Sequence, residues 1–258
     1  MRIDVHAHVW PKEGELNSDL LERLIDACDR LGIDEAWVSC PITSGMGNPQ
    51  AVRANNDCVL EAMRRYPERI RGYCFVVPGF FREAQEEISR CLDEGMIGIK
   101  LYHQYFINDP AVFPVIERAI QERIPVLCHA GHVMDAHSRR TQPKLSDGVH
   151  FADLARRYPE AMLIMAHLGG GGDYEWSLQA IVETANVYAD SSGSVIDEGL
   201  VEYAVRLLGA GRVLFACDET EEGGVGKVLG AEISEEEREA IFWGNAQAIL
   251  ARRSRRNM

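Results

Sequence analysis

The sequence predicts an α/β fold, a (β/α)₈ TIM barrel, and three observations predict it. Short β-branched runs alternate with longer amphipathic stretches from one end of the chain to the other, the pattern of repeated βα units around a parallel sheet. Eight such runs are present, the number that closes a barrel of this kind. The chain has 258 residues, a length that one barrel commonly fills, so residues 1–258 are read as a single domain with no linker.

The elements follow in order. The run "RIDVHAHV" is the first strand, and "SDLLERLIDACDRLG" its helix, with Ser18 before the first turn and Gly32 after the last. "DEAWVSC" and "PQAVRANNDCVLEAMRRYP" form the second unit, and "RGYCFVV" with "REAQEEISRCLDEG", stopped at Gly95, the third. "MIGIKLY" precedes "DPAVFPVIERAIQER", which Asp109 starts. After "IPVLCHA" comes the longest non-helical connection, "GHVMDAHSRRTQPKLSDG", then "GVHFADLARRYP". A loop of that length inside a compact domain reads as a lid or binding loop. "AMLIMAH" with "YEWSLQAIVETA", and "NVYADSS" with "GLVEYAVRLLGAG", stopped at Gly211, complete the sixth and seventh units. "RVLFACDE" and the helix "SEEEREAIFWGNAQAILARR" close the chain.

Composition narrows the function classes. No apolar run is long enough to cross a bilayer and the start lacks the apolar core of a signal peptide, so a cytoplasmic protein without a membrane partner is expected. The seven cysteines are odd in number, scattered and never spaced C-x-x-C, which argues for reduced thiols over a disulfide framework or zinc ribbon. Lys and Arg total 27 against 40 Asp and Glu, and the net charge of −13 repels a phosphate backbone. The one basic cluster, "ARRSRRNM", follows a helix, where arginines favour the negative end of its dipole or stay solvated. A small-molecule substrate is expected and no nucleic acid; the sequence leaves monomer and homo-oligomer both open.

In such a barrel the active site lies at the C-terminal ends of the strands. Those ends carry His6 and His8 on strand one, Lys100 on strand four, His129 on strand five, His167 on strand six and Asp218 on strand eight. Residues two apart on a strand point the same way, so His6 and His8 can share one ion. Each residue has a bland reading alone: His167 as a core histidine bonded to a carbonyl, Asp218 as a helix cap. Four of the eight histidines at ends that the fold brings together favour the joint reading. Imidazoles and a carboxylate suit zinc or a similar divalent ion better than calcium.

Other residues stay open. The stretch "LGGGGDYEW" after His167 either exposes N–H groups to an anion or makes a flexible turn. Arg139, Arg140 and Lys144 either grip a substrate carboxylate or remain solvated. Tyr102, His103 and Tyr105 can line the pocket, while Tyr105 and Phe106 can equally cover the rim. If His129 and Asp218 face the interior, their neighbours Cys128 and Cys217 face the helix layer. His132, His137 and His150 have no strand-end position and no catalytic role is assigned to them.

The set "HAH", "GIKLY", "CHAG", "AHLGG" and "LFACDE", with the ending "ISEEEREAIFWGNAQAIL", resembles the amidohydrolase superfamily, and within it the amidohydrolase-related branch. That branch contains amino-carboxymuconate-semialdehyde decarboxylase and related aromatic-acid decarboxylases, together with lactonases and hydratases. The resemblance implies that His6 and His8 are the first-strand metal pair, that His129 is the fifth-strand ligand, and that Asp218 both binds metal and accepts a proton. It implies that His167 orients the metal-bound water or the substrate. Lys100 stands where binuclear members carry a carboxylated lysine. The chain departs from the branch just after Asp218, where "DETEEGG" replaces a frequent aspartate, aromatic, proline run.

The expectation is one divalent ion per chain, zinc first and manganese as the alternative, held by His6, His8, His129 and Asp218. Such an ion lowers the pKa of bound water from ~15.7 towards ~7. Asp218 would take the proton and His167 stabilise the oxyanion. Unmodified Lys100, Tyr102, Arg139 and Arg140 would bind the substrate. On this chemistry the protein is expected to hydrolyse an amide, lactone or ester of a small anionic compound. The alternative is non-oxidative decarboxylation of an aromatic or unsaturated acid on the same metal site. A TatD-type DNase has glutamate where this chain has Lys100, and the net charge of −13 opposes DNA. A non-catalytic barrel with structural zinc would have a closed, cysteine-rich shell, unlike this strand-end set.

Overall fold

The computed structural model describes residues 1–132, 136–169 and 173–254. Parallel strands follow one another around one sheet in chain order: β1 (Ile3–His8), β2 (Glu35–Ser39), β3 (Ile70–Phe75), β4 (Gly98–Leu101), β5 (Pro125–Cys128), β6 (Met162–Met165), β7 (Val187–Asp190) and β8 (Val213–Leu214). Beyond β8 the chain returns to β1, where Val5 N–H donates to Phe215 O at 3.0 Å and Asp218 N–H to His6 O at 2.8 Å. The sheet is thereby brought round into a (β/α)₈ barrel, and each of the eight predicted runs overlaps one of its strands, the third strand starting one residue before its run.

Alternation along the strands sorts two cores. Ile3, Val5, Trp37, Tyr73, Leu127, Met162, Ile164, Tyr188 and Leu214 pack together inside the barrel. Ala36, Val38, Cys74, Ile99, Val126, Cys128, Leu163, Val187, Val213 and Cys217 face the helices. Cys128 and Cys217 thus lie where alternation places them, and all seven cysteines are buried and free. The N-terminal end of the barrel is plugged by Ala246 and Ile249 of the last helix, which pack against Ile3, Ile97 and Met162. The opposite end stays open to chemistry.

The helices are α1 (Ser18–Leu31), α2 (Pro49–Arg65), α3 (Phe81–Asp93), α4 (Phe113–Glu122), α5 (Ala136–Thr141), α6 (Gly148–Arg157), α7 (Tyr174–Ala180), α8 (Leu200–Leu208), α9 (Glu221–Gly230), α10 (Glu235–Glu239) and α11 (Asn245–Ser254). Several boundaries differ from expectation. Asn17, not Ser18, caps α1, its side chain accepting from Leu20 N–H. Gly32 does end α1, at φ 64°, the left-handed conformation that only glycine adopts at no steric cost. α8 stops at Gly209 with φ 80°, and Gly211 sits in a following 3₁₀ turn. α9 has no expected counterpart, because Gly223, Gly224, Gly226 and Gly230 lower its helix propensity. The long loop after β5 contains the short helix α5. The closing helix is split into α10 and α11 by a π-helical turn at Ala240–Gly244, whose Ile241 carbonyl accepts from Phe215 N–H at 3.0 Å. Among the described residues no helix is long and apolar enough to cross a membrane.

Candidate metal centre and active site

β1 places its histidines by breaking its own alternation. Asp4 pairs with Ala36 but Ala7 pairs with Val38, so three steps on β1 match two on β2. This bulge leaves Val5 inside the barrel and Ala7 outside, and it turns both His6 and His8 towards the open end. The Asp4 carboxylate holds the bulge: Oδ1 accepts from His6 N–H and from Cys217 N–H, each at 3.0 Å. Burial pushes Asp4 up to about 8, against the two backbone bonds that favour its ionised form.

Three donor atoms converge. His8 Nε2 lies 3.0 Å and His6 Nε2 3.6 Å from Asp218 Oδ1. Ligands about 2.1 Å from a tetrahedral ion stand ~3.4 Å apart, so nitrogen donors and a carboxylate with this spacing fit a divalent cation. Asp218 Oδ2 faces the other way, 3.5 Å from His167 Nδ1. His8 Nδ1 is held by the carbonyl and hydroxyl of Ser39 at 3.2 and 3.1 Å. A second cluster, His6, His167 and Asp190, is equally close but is knit together by its own hydrogen bonds.

His129 stands apart from the donor atoms. Its Nδ1 meets His167 Nε2 and its Nε2 meets the Gln142 side chain, both at 2.9 Å, and Tyr102 stacks on its ring at 4.2 Å. Lys100 is fully buried, and its Nζ lies 2.6 Å from His6 Nε2. The one lone pair of that nitrogen serves either Lys100 or an ion. Burial lowers Lys100 to about 8, with Asp218 and Asp190 opposing the shift. Burial likewise lowers His6 to about 4, helped by Lys100, and it holds His129 and His167 below their ordinary value. Neutral imidazoles are the form that binds metal.

Arg139 and Arg140 lie on α5 and are exposed. Lys144 instead lies over the Tyr105 ring, 4.5 Å from its centroid. His132 and His150 both bond Asp147 at 2.8 Å, where His150 completes the capping box of α6. The glycine run after Leu168 includes residues 170–172, which lie outside the described residues. Trp10 packs 5.2 Å from the His8 ring and donates to Glu219, the residue after Asp218.

Two left-handed corners aim the site. His167 and Leu168 have φ of 65° and 49°, and Asp218 and Glu219 have φ of 51° and 66°, each costing about 1–3 kcal/mol and sustained by the surrounding bonds. Asp190, Ser192 and Asp4 are the polar residues that strand-end reading missed. They act through hydrogen bonds across the barrel, and the one signal for Asp190 is its own position at the end of "NVYAD". Gly193, at φ 95°, backs His167 so closely that an added Cβ would lie 2.9 Å from the histidine Cβ. Gly193→Ala is therefore expected to cost about 1–3 kcal/mol and to displace His167, read as a lowered Tm together with a lowered kcat.

The chain is similar along nearly its whole length to known decarboxylases. A gamma-resorcylate decarboxylase of Polaromonas sp. (strain JS666 / ATCC BAA-500) is 25% identical over 295 residues, covering 93% of this chain and 90% of that one. A crystal structure of dihydroxybenzoic acid decarboxylase from Polaromonas sp. JS666, with bound manganese and the inhibitor 2-nitroresorcinol, superposes with TM-score 0.74 at 19% identity over 97% of this chain and 96% of that one. A 5-carboxyvanillate decarboxylase from Novosphingobium aromaticivorans DSM 12444, also with manganese, gives 0.74 at 17% identity over 97% and 96%. At these identities the two structures show the fold.

These relatives correct the expected reaction. Hydrolysis of an amide, lactone or ester rested on a metal-activated water, but the relatives named above are decarboxylases. Zinc likewise gains no support from structures that hold manganese. The amidohydrolase family model matches residues 3–252, and the chain belongs to that family.

Proposed function

We propose that this protein is a metal-dependent, non-oxidative decarboxylase of a hydroxylated aromatic acid. The observation that carries the reading is the 25% identity to gamma-resorcylate decarboxylase across nearly the whole of both chains. The donor set at the barrel mouth supports it. His6, His8 and the Oδ1 face of Asp218 would hold one divalent ion, manganese by analogy with the structural relatives. When bound, that ion supplies positive charge that orients the substrate's oxygens and stabilises developing negative charge.

The reaction exchanges a ring carboxylate for hydrogen: ArCOO⁻ and a proton give ArH and CO₂. The ring carbon must receive that proton as its bond to the carboxyl carbon breaks. Asp218 would relay it through Oδ2, since Oδ1 is turned to the histidine pair and the side chain keeps 23% of its surface exposed. Against the effect of burial, the neighbouring His6, His8 and His167 hold this carboxyl well below the usual carboxylate range. It therefore first takes the proton from the substrate's hydroxyl or from water and then passes it to the ring carbon. His167 turns Nδ1 towards that carboxyl, 3.5 Å away, and favours its ionised form. Trp10 and Tyr102 offer flat apolar walls beside His8 and His129 for an aromatic ring. Arg139 and Arg140 on α5 supply positive charge for an approaching acid, and Lys100 does so from beneath His6.

The test is to load the protein with manganese and offer gamma-resorcylate, 5-carboxyvanillate, and a panel of lactones and amides. Carbon dioxide release from a hydroxybenzoate is expected, abolished by a chelator and restored by manganese. Turnover of a lactone or amide without carbon dioxide release would overturn the proposal.

A further inference from the structure

Asp190 ends β7 with no exposed surface. Its Oδ2 accepts from His6 Nδ1 at 3.0 Å. Its Oδ1 accepts from His167 N–H at 2.9 Å, from Ser192 N–H at 3.1 Å and from the Ser192 hydroxyl at 2.6 Å. An ionised carboxylate only accepts, so the His6 proton must sit on Nδ1. An ammonium only donates, so Lys100 at 2.6 Å requires a lone pair on His6 Nε2. Both neighbours enforce one tautomer, and it leaves the lone pair on the nitrogen that meets His8 and Asp218.

The same carboxylate orders His167. The single Ser192 hydrogen goes to Asp190, so Ser192 Oγ must accept from His167 Nδ1–H at 2.9 Å. Neutral His167 then keeps its lone pair on Nε2, facing His129. The Asp190 bond to His167 N–H also sustains the left-handed turn at φ 65°.

We propose that Asp190 is the positioning residue of this site: it touches neither ion nor substrate, yet it sets the proton positions of His6 and, through Ser192, of His167. The proposal rests on reading His6 as a metal ligand, and not on which reaction follows. It predicts what asparagine does at 190. The three donors at Oδ1 select the amide oxygen, so the amide NH₂ faces His6 Nδ1 and drives the proton to Nε2, where it blocks the donor atom.

The experiment combines manganese affinity, from the electron paramagnetic resonance signal of the free ion, with histidine ¹⁵N resonances of the metal-free protein. Wild type is expected to show His6 protonated at Nδ1 and bare at Nε2. Asp190→Asn should reverse that pattern and bind manganese about 10–100-fold more weakly. Ser192→Ala should keep the His6 tautomer and near-normal affinity while releasing His167 Nδ1–H. His6 protonated at Nε2 in the wild type, or a folded Asp190→Asn with wild-type affinity, would overturn the proposal. If Asp190→Asn does not fold, the wild-type tautomer and Ser192→Ala decide. A wild-type chain that binds no manganese would sink the metal reading separately, and the ¹⁵N pattern would still decide the proton positions.

Discussion

Asp218→Asn is expected to lower carbon dioxide release by roughly 10²–10⁴-fold, the range general acid catalysis supplies, while leaving the barrel folded. The amide cannot carry a transferable proton at the position of Oδ2, which faces His167 at 3.5 Å. Folding should survive because Asp218 sits at φ 51°, and asparagine tolerates the left-handed region as well as aspartate does. Its backbone N–H still donates to His6 O at 2.8 Å, one of the bonds that brings the barrel round. The measurement is kcat on the accepted hydroxybenzoate beside Tm and manganese content. A variant that binds manganese and turns over near the wild-type rate would remove Asp218 from proton delivery.

The metal-free protein is expected to lose stability between pH 6.5 and 4 through its buried histidines. Burial, with Lys100 beside it, lowers His6 from 6.5 to about 4, and burial holds His129 and His167 below their ordinary value as well. In that window the unfolded chain binds protons that the folded chain refuses. The share of stability that these histidines contribute is therefore complete above 6.5 and falls as pH drops towards the folded values. For His6 alone the loss is about 3 kcal/mol at ~1.36 kcal/mol per pH unit. His129 and His167 add to it in the same direction, while Asp4, pushed up to about 8 by burial, holds a proton in the folded chain across this window and opposes it. Against a domain stability of about 5–15 kcal/mol a net loss of that order is read as a lowered Tm. Thermal melts of chelated protein from pH 8 to 5 check it, and a flat Tm would show that these histidines are charged in the folded state.

The sequence by itself determined the plan of this protein. Eight β-branched runs separated by amphipathic stretches are a local property, and burial on one or both faces needs no knowledge of partners. The His6 and His8 pair was legible for the same reason, since a period of two is written in consecutive residues. So were the strand-end positions of Lys100, His129, His167 and Asp218, once the fold placed all strand ends around one mouth.

Tertiary structure decided what those residues do to one another. The bulge that turns His6 and His8 inward depends on Asp4 bonding Cys217 N–H, from the opposite end of the chain. Asp190 reads in sequence as the last residue of a buried strand, and its four bonds to His6, His167 and Ser192 exist only after three strands have met. His129 shares a strand end with the metal pair's mouth, yet its nitrogens turn to His167 and Gln142, because where a ring points is set by packing and not by position along a strand. Helix α9 was hidden by its glycines, whose low propensity is offset by packing of Val225 and Val228 into the core. Hydrolysis and decarboxylation were not separable from the motifs, because one set of imidazoles and one carboxylate can hold the same ion for either reaction. On the reading proposed above, the difference lies in where Asp218 Oδ2 and the aromatic walls would stand relative to a bound acid, a matter of distances across the barrel that no single stretch of chain contains.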